Sequence, residues 1–183
     1  MEMKMWYKGK KSRMEQSMGM MGTTITINDG GAYAHQLSES MMGKTYVKIP
    51  VDSLNKEDKS EKDREYKITY TEETKTIAGY ECKKAVIEFK TKTGDTQKSD
   101  VWYTEKLPRT GGGSNKRMEM FKDLKGRPLK WSMVQGPVTI NIEATEVNTN
   151  PVPDSKFTVD ATGYTEMSYA DYMEQMKAMG QGQ

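Results

Sequence analysis

Between Tyr66 and Pro108 the chain alternates apolar and polar residues through three successive runs, broken only at Ala78-Gly79 and at Thr93-Gly94-Asp95. Ile68 and Tyr70 stand against Lys67 and Thr69, and Ala85, Ile87 and Phe89 stand against Lys84, Val86 and Glu88. Successive side chains on a strand point to opposite faces, so a period of two sustained this long specifies an antiparallel meander with one apolar face. What covers that face decides what the chain can do.

The same period extends on both sides. Strands are expected over residues 2–8, 11–18, 23–29, 32–38, 44–51, 66–76, 80–91, 96–105, 127–135 and 138–148, with a short one near 156–160. Asn28-Asp29-Gly30-Gly31, Met42-Gly43, Thr93-Gly94-Asp95 and Gln135-Gly136-Pro137 supply turns, because glycine accepts the positive φ that hairpins need. Asp52 to Glu65 breaks the pattern. Ten of its fourteen residues are charged, with both signs mixed, which fits one helix held by i,i+4 pairs or a solvated loop; the preferred reading is a crossover loop with room for a helical turn. Arg109 to Arg117 is glycine-rich but lacks the spacing and the βαβ context of a phosphate-binding loop.

The C-terminus predicts one helix over 168–180. Ser168 is a natural N-cap, Asp171 favours the helix dipole, and Met167 is placed to staple onto Tyr172. Tyr169, Tyr172, Met173, Met176 and Met179 form one stripe, and Gly180 fits the stop.

A chain of 183 residues is most simply one domain, here 1–183. Ten strands spaced about 4.8 Å apart make a flat sheet about 48 Å wide. A twelve-residue helix is only about 18 Å long. The expectation is a mainly β (α+β) fold: a single antiparallel sheet curled into an open or closed barrel, with the C-terminal helix on its concave side.

Composition excludes several functions. Lys plus Arg is 28 and Asp plus Glu is 26, a net charge of +2, so no field of one sign is available to attract nucleic acid. No apolar run approaches the roughly 18 residues of a transmembrane helix. Met3 and Met5 alternate with Lys4 and no apolar leader follows, so the expectation from the residues is either a cytosolic protein or one whose secretory signal was removed. Cys82 is the one cysteine and His35 the one histidine, which rules out internal disulfides, multi-cysteine metal sites and histidine triads. Cys82 reads as a half-buried core residue and His35 as a surface or hairpin residue. Carboxylates such as Glu57-Asp58 and Glu72-Glu73 lie in charged runs, not in apolar surroundings that would tune them for acid–base work. The expectation is no enzyme and no cofactor. Methionine is abundant, at 16 against 3 phenylalanines, and fits a deformable apolar interior as readily as an ordinary core.

T-K-T-I-A-G-Y-E-C-K-K-A-V at residues 74–86, followed by V-W-Y-T-E-K-L-P at 101–108, resembles an uncharacterised family of Gram-negative envelope proteins related to the GLPGLI proteins. That family's fold is similar to the lipoprotein carriers LolA and LolB. Met5 to Glu15 resembles the family's opening hairpin, and Phe157 to Met167 its closing strand. Gly126-Arg127-Pro128-Leu129 stands where GLPGLI proteins carry their name motif, and Leu124-Lys125-Gly126-Arg127-Pro128-Leu129 departs from it with cations at Lys125 and Arg127. The resemblance implies a LolA-like half-barrel and a periplasmic or outer-membrane-associated place.

Two functions follow as expectations. One is a carrier that shields a lipid or acyl chain in an apolar cavity lined by Met5, Ile25, Ile27, Ile68, Tyr70, Ile87, Val101, Trp131, Ile140 and Met173. These residues alternate inward on strands that the resembled fold places around the concavity, or lie on the covering helix; a shift of one residue would turn a strand's set outward. The other is a module that binds an envelope protein, for instance by adding a partner strand to a sheet edge.

Overall fold

The computed structural model describes residues 1–55, 65–90, 94–108, 120–135 and 138–178, with the backbone alone at 55, 133–135 and 138. The expected turns at Thr93 and Gly136-Pro137, most of the charged run after Asp52, the loop from Arg109 to Arg117, and Met118, Met179 and Gly180 lie outside the described residues. In chain order the elements are β1 (Glu2–Lys8), β2 (Lys11–Ser17), β3 (Thr23–Asn28), β4 (Tyr33–Ser40), β5 (Gly43–Pro50), α1 (Val51–Asn55), β6 (Tyr66–Ile77), β7 (Tyr80–Lys90), β8 (Thr96–Thr104), β9 (Arg127–Gln135), β10 (Val138–Glu143), β11 (Thr165–Met167) and α2 (Tyr169–Ala178). The fold is mainly β, and ten strands lie close to their expected positions.

The strands form two open sheets, one ordered β1-β2-β3-β4-β5-β11 and the other β10-β9-β8-β7-β6, in place of the single strongly curled sheet expected. α1 and the charged run after it separate β5 from β6, so these neighbours in sequence do not pair. β11 takes the edge of β5 instead, in parallel register from Thr165↔Thr45 to Met167↔Val47. The chain correspondingly divides into two compact units, Met1–Lys56 with Pro151–Gln183, and Glu57–Asn150.

In the first unit both sheet faces are covered by the returning C-terminal part of the chain. On one face Ile27, Leu37 and Tyr46 bury with Phe157, and Val152, Val159, Ala161 and Tyr164 pack around them. Phe157 closes a 3-10 turn, Asp154–Phe157, where a short strand is expected. Prolines at 151 and 153 and three polar residues in a row favour a turn there over alternation. Polar clasps hold this segment. Lys8 and Lys11 reach Asp154 at 2.7 and 3.1 Å, Arg13 donates to the Lys156 carbonyl at 3.1 Å, and the Tyr164 hydroxyl donates to Glu39 at 2.5 Å.

On the opposite face Ala34, Val47 and Ile49 bury under Leu54, Met167, Tyr169 and Tyr172. α2 begins as its sequence predicts: the Asp171 amide donates to Ser168 Oγ at 3.1 Å, and that hydroxyl donates to Asp171 Oδ2 at 2.7 Å. The helix lies against β5, not across a concave sheet, and Met173 and Met176 are only half-buried.

The second unit is a contiguous antiparallel meander. Tyr66↔Phe89, Ile68↔Ile87 and Tyr70↔Ala85 pair across β6 and β7, so the alternating apolar residues share one face. Between Tyr70 and Thr74 the β6 strand bulges. The connection at Ala78-Gly79 is a two-residue turn with φ of 48° and 81°, the left-handed geometry that matches strand twist.

Gly126 is required by close approach: a β-carbon there would sit 2.4 Å from the Thr104 carbonyl oxygen. Pro128 pairs with Tyr103 beside a register shift between Trp102 and Tyr103, and Pro is tolerated at such a bulge. Leu129 is then buried with Ile77, Cys82 and Leu107. The G-x-P-L step is thus the place where the chain crosses the end of β8 and enters β9. Cys82 is fully buried, its thiol donates weakly to the Tyr80 carbonyl at 3.5 Å, and burial pushes its pKa up.

Candidate functional site

The ten candidate cavity residues separate into three groups. Ile68, Tyr70, Ile87, Val101, Trp131 and Ile140 share one face of the second sheet: Ile68 pairs with Ile87, Tyr70 with Ala85, Ala85 with Val101, Val101 with Trp131, and Trp131 with Ile142, two residues from Ile140. Ile25 and Ile27 lie in the first unit under Phe157. Met5 lies on the other face of that first sheet, because its ladder runs Met5↔Met14↔Thr26 and Thr26 alternates with Ile25 and Ile27. Met173 is on α2, which also packs on that other face.

The six residues of the second sheet face a surface the chain fills itself. Phe121 and Leu124 bury against Ala85, Ile87, Val101, Tyr103 and Trp131, and Met120 packs at the margin. The Phe121 ring meets Trp131 edge-on at 5.4 Å, and Tyr70 meets Tyr103 edge-on at 5.6 Å. Tyr70 anchors the covering segment, donating to the Asp123 carbonyl at 3.4 Å and accepting from the Lys125 amide at 3.2 Å. Sequence reasoning missed this cover. The signal was Met120-Phe121-x-x-Leu124, a short apolar cluster too brief to show a period. One polar atom stays unpaired here: Trp131, 8% exposed, has an indole N–H with no acceptor among the described residues.

The reverse face of the second sheet holds the buried cluster of Ile77, Cys82, Leu107 and Leu129 at one end and charged residues beyond it. Lys84 bridges Glu73 at 3.1 Å and Asp100 at 3.0 Å and lies over Trp102, while Lys130 binds Glu143 at 2.6 Å. At one end of the unit a shallow pocket of about 220 Å³ is lined by Glu81, Lys83, Tyr103, Thr104, Glu105 and Lys106. Burial raises the pKa of Tyr103, and Lys83 pairs with Glu105 at 3.5 Å. No nucleophile–base pair forms there.

His35 is half-buried on β4. Its Nδ1 lies 2.7 Å from the Tyr46 hydroxyl and the two rings stack with an interplanar angle of 2°. This pair is explained by packing alone. Among the described residues no three of His, Cys, Asp and Glu are grouped to hold a metal, and no helix is long and apolar enough to cross a membrane.

The sheet edges are a further surface, formed by β1 and β11 in the first sheet and by β6 and β10 in the second. β11 is three residues long, and β6 is bulged and carries Glu72, Glu73 and Lys75, devices that blunt strand addition. β1 pairs with β2 through seven ladder pairs without a register shift, and its outer side carries no further strand among the described residues.

No curated protein and no solved structure matches the chain. Residues 1–164 match the family described as domain of unknown function DUF4412, and the chain belongs to that family.

Proposed function

We propose that the chain is a non-catalytic binding module of the Gram-negative envelope that engages another envelope protein through the free edge of β1. The observation that carries this reading is the filled apolar face of the second sheet, where Phe121 and Leu124 occupy the space an acyl chain would need. Closed apolar faces leave sheet edges as the natural recognition element, and β1 offers a partner strand a sheet edge that carries no further strand among the described residues. Met3, Met5, Trp6 and Tyr7 on that strand supply half-buried apolar side chains for alternate contacts. A periplasmic or outer-membrane-associated place, and kinship with the LolA-like and GLPGLI proteins, rest on the sequence resemblance.

The carrier reading is the second proposal, and the unpaired Trp131 indole favours it. A lipid ester carbonyl would satisfy that donor if residues 120–125 lifted from the sheet. A photo-crosslinking residue at Lys4, tested in cell envelopes, separates the two. The module reading expects one discrete protein adduct from Lys4 and none from Lys98 on the charged face of the second sheet. Native mass spectrometry showing an acyl chain retained by the envelope-purified protein, with no adduct at Lys4, would overturn it in favour of the carrier.

A further inference from the structure

Seven large apolar residues are exposed among those described, and six of them are methionine: Met1, Met18, Met20, Met21, Met41 and Met42. All six sit at one end of the first sheet. β1 begins there, the β2–β3 connection turns there through residues 18–22, and the β4–β5 hairpin turns there at 41–42. Thr23 is the ladder partner of Glu39, and Ser17 the partner of both Glu2 and Thr23, so these turns are neighbours across the sheet.

The two methionine-bearing turns also touch. A β-carbon on Gly22, whose φ is 113°, would sit 2.0 Å from the Glu39 carbonyl oxygen and 3.1 Å from Ser40 Cα. Only glycine permits that approach. The Met18 amide donates to the Gly22 carbonyl at 2.9 Å and the Met42 amide to Ser40 Oγ at 3.2 Å, which fixes the backbone on each side. Met20, Met41 and Met42 are about nine-tenths exposed, so their thioethers point to solvent from two abutting turns.

We propose that this end of the sheet is a binding site for a soft monovalent cation, Cu(I) in chemical class, held by three or four thioether sulfurs drawn from Met18, Met20, Met21, Met41 and Met42. Thioethers are soft, neutral ligands that select Cu(I) over hard divalent ions. Methionine's unbranched side chain has three rotatable bonds, which suits sulfurs reaching one ion from two abutting turns. The nearby charges cancel, since Glu39 pairs with Lys44 at 2.9 Å, so no anionic cluster competes for a hard cation. The patch contains no exposed leucine, isoleucine, phenylalanine or tryptophan, which would serve a purely apolar contact equally well. The common property of this surface is sulfur.

The test uses the full chain with Cys82→Ala, so that the buried thiol is excluded. Cu(I) is titrated under reducing conditions against bicinchoninate, with Ag(I) as a redox-inert check and Zn(II) as a borderline divalent control. The expected result is one ion per chain, shifts in methionine methyl resonances, and no competition by Zn(II). Met20→Leu with Met21→Leu, and separately Met41→Leu with Met42→Leu, keep the apolar surface and remove sulfur. Each pair should weaken binding at least tenfold, because the site spans both turns. Unchanged affinity in either leucine pair, loss of binding with Cys82→Ala alone, or equal binding of Zn(II) would overturn the proposal.

Discussion

The two units solve the problem of a half-apolar sheet in opposite ways. The second covers its apolar face with the segment at 120–125, which lies within the same contiguous stretch of chain, and its centre is dry: Ala85, Ile87, Val101 and Leu124 are each 0% exposed. The first borrows its cover from residues more than a hundred positions away and tethers it with Lys8, Lys11, Arg13 and Glu39. Its strands β1 and β2 have no fully buried residue. Cover from nearby in the chain has a small loop-closure cost, while distant cover pays more and needs polar anchors to fix its position. The second unit is therefore expected to be the slower to exchange its amide hydrogens, and the first the one whose strands loosen when the tail is disturbed.

Phe157→Ala should have the largest effect. Removing a buried phenylalanine costs about 3–5 kcal/mol. Hydrogen exchange should quicken in β1 to β5 and stay unchanged in β7 and β8. Equal loosening of both sheets would break the comparison.

Gly126→Ala is the counterpart in the second unit. The Thr104 carbonyl leaves no room for a methyl group, so the backbone must shift, at about 2–3 kcal/mol. Exchange should quicken in β8 and β9 and remain unchanged in the first unit; a neutral effect on melting would contradict the close approach.

Tyr164 sharpens the contrast through pH. Burial first, and then the hydrogen bond to Glu39, raise its pKa from 10.0 to about 12. A raised folded-state value means the neutral phenol is the stabilising form. Its contribution is complete below pH 10.0 and is lost as pH rises through about 12. Tyr164→Phe should lower stability at neutral pH and flatten this part of the alkaline loss in a melting series. An unchanged alkaline slope would show that the clasp does not hold the tail.

The smallest effect is a gain. Ala78 has φ of 48°, a left-handed conformation costly to alanine, and asparagine accepts it better. Ala78→Asn should stabilise the second unit by about 0.5–1 kcal/mol, seen as a modest rise in its denaturation midpoint.

The alternating residues of β6, β7 and β8 determined their own strands, their shared face and their antiparallel pairing, because period and turn chemistry are local. Ser168 and Asp171 determined the start of α2 for the same reason, whereas Cys82, expected half-buried, is fully buried. Sequence alone did not decide how many sheets form. That depended on whether β5 meets β6 or β11, a contact between residues far apart in the chain. Nor did it decide the candidate cavity. Met5 and Ile27 belong to strands of one sheet, yet their ladders set them on opposite faces, and alternation on each strand leaves the choice of face open. The cover over Trp131 and the meeting of the methionine turns at Gly22 likewise come only from tertiary structure. A period of two states which residues lie together on a strand, whereas packing free energy, summed over distant partners, decides which side is buried and by what.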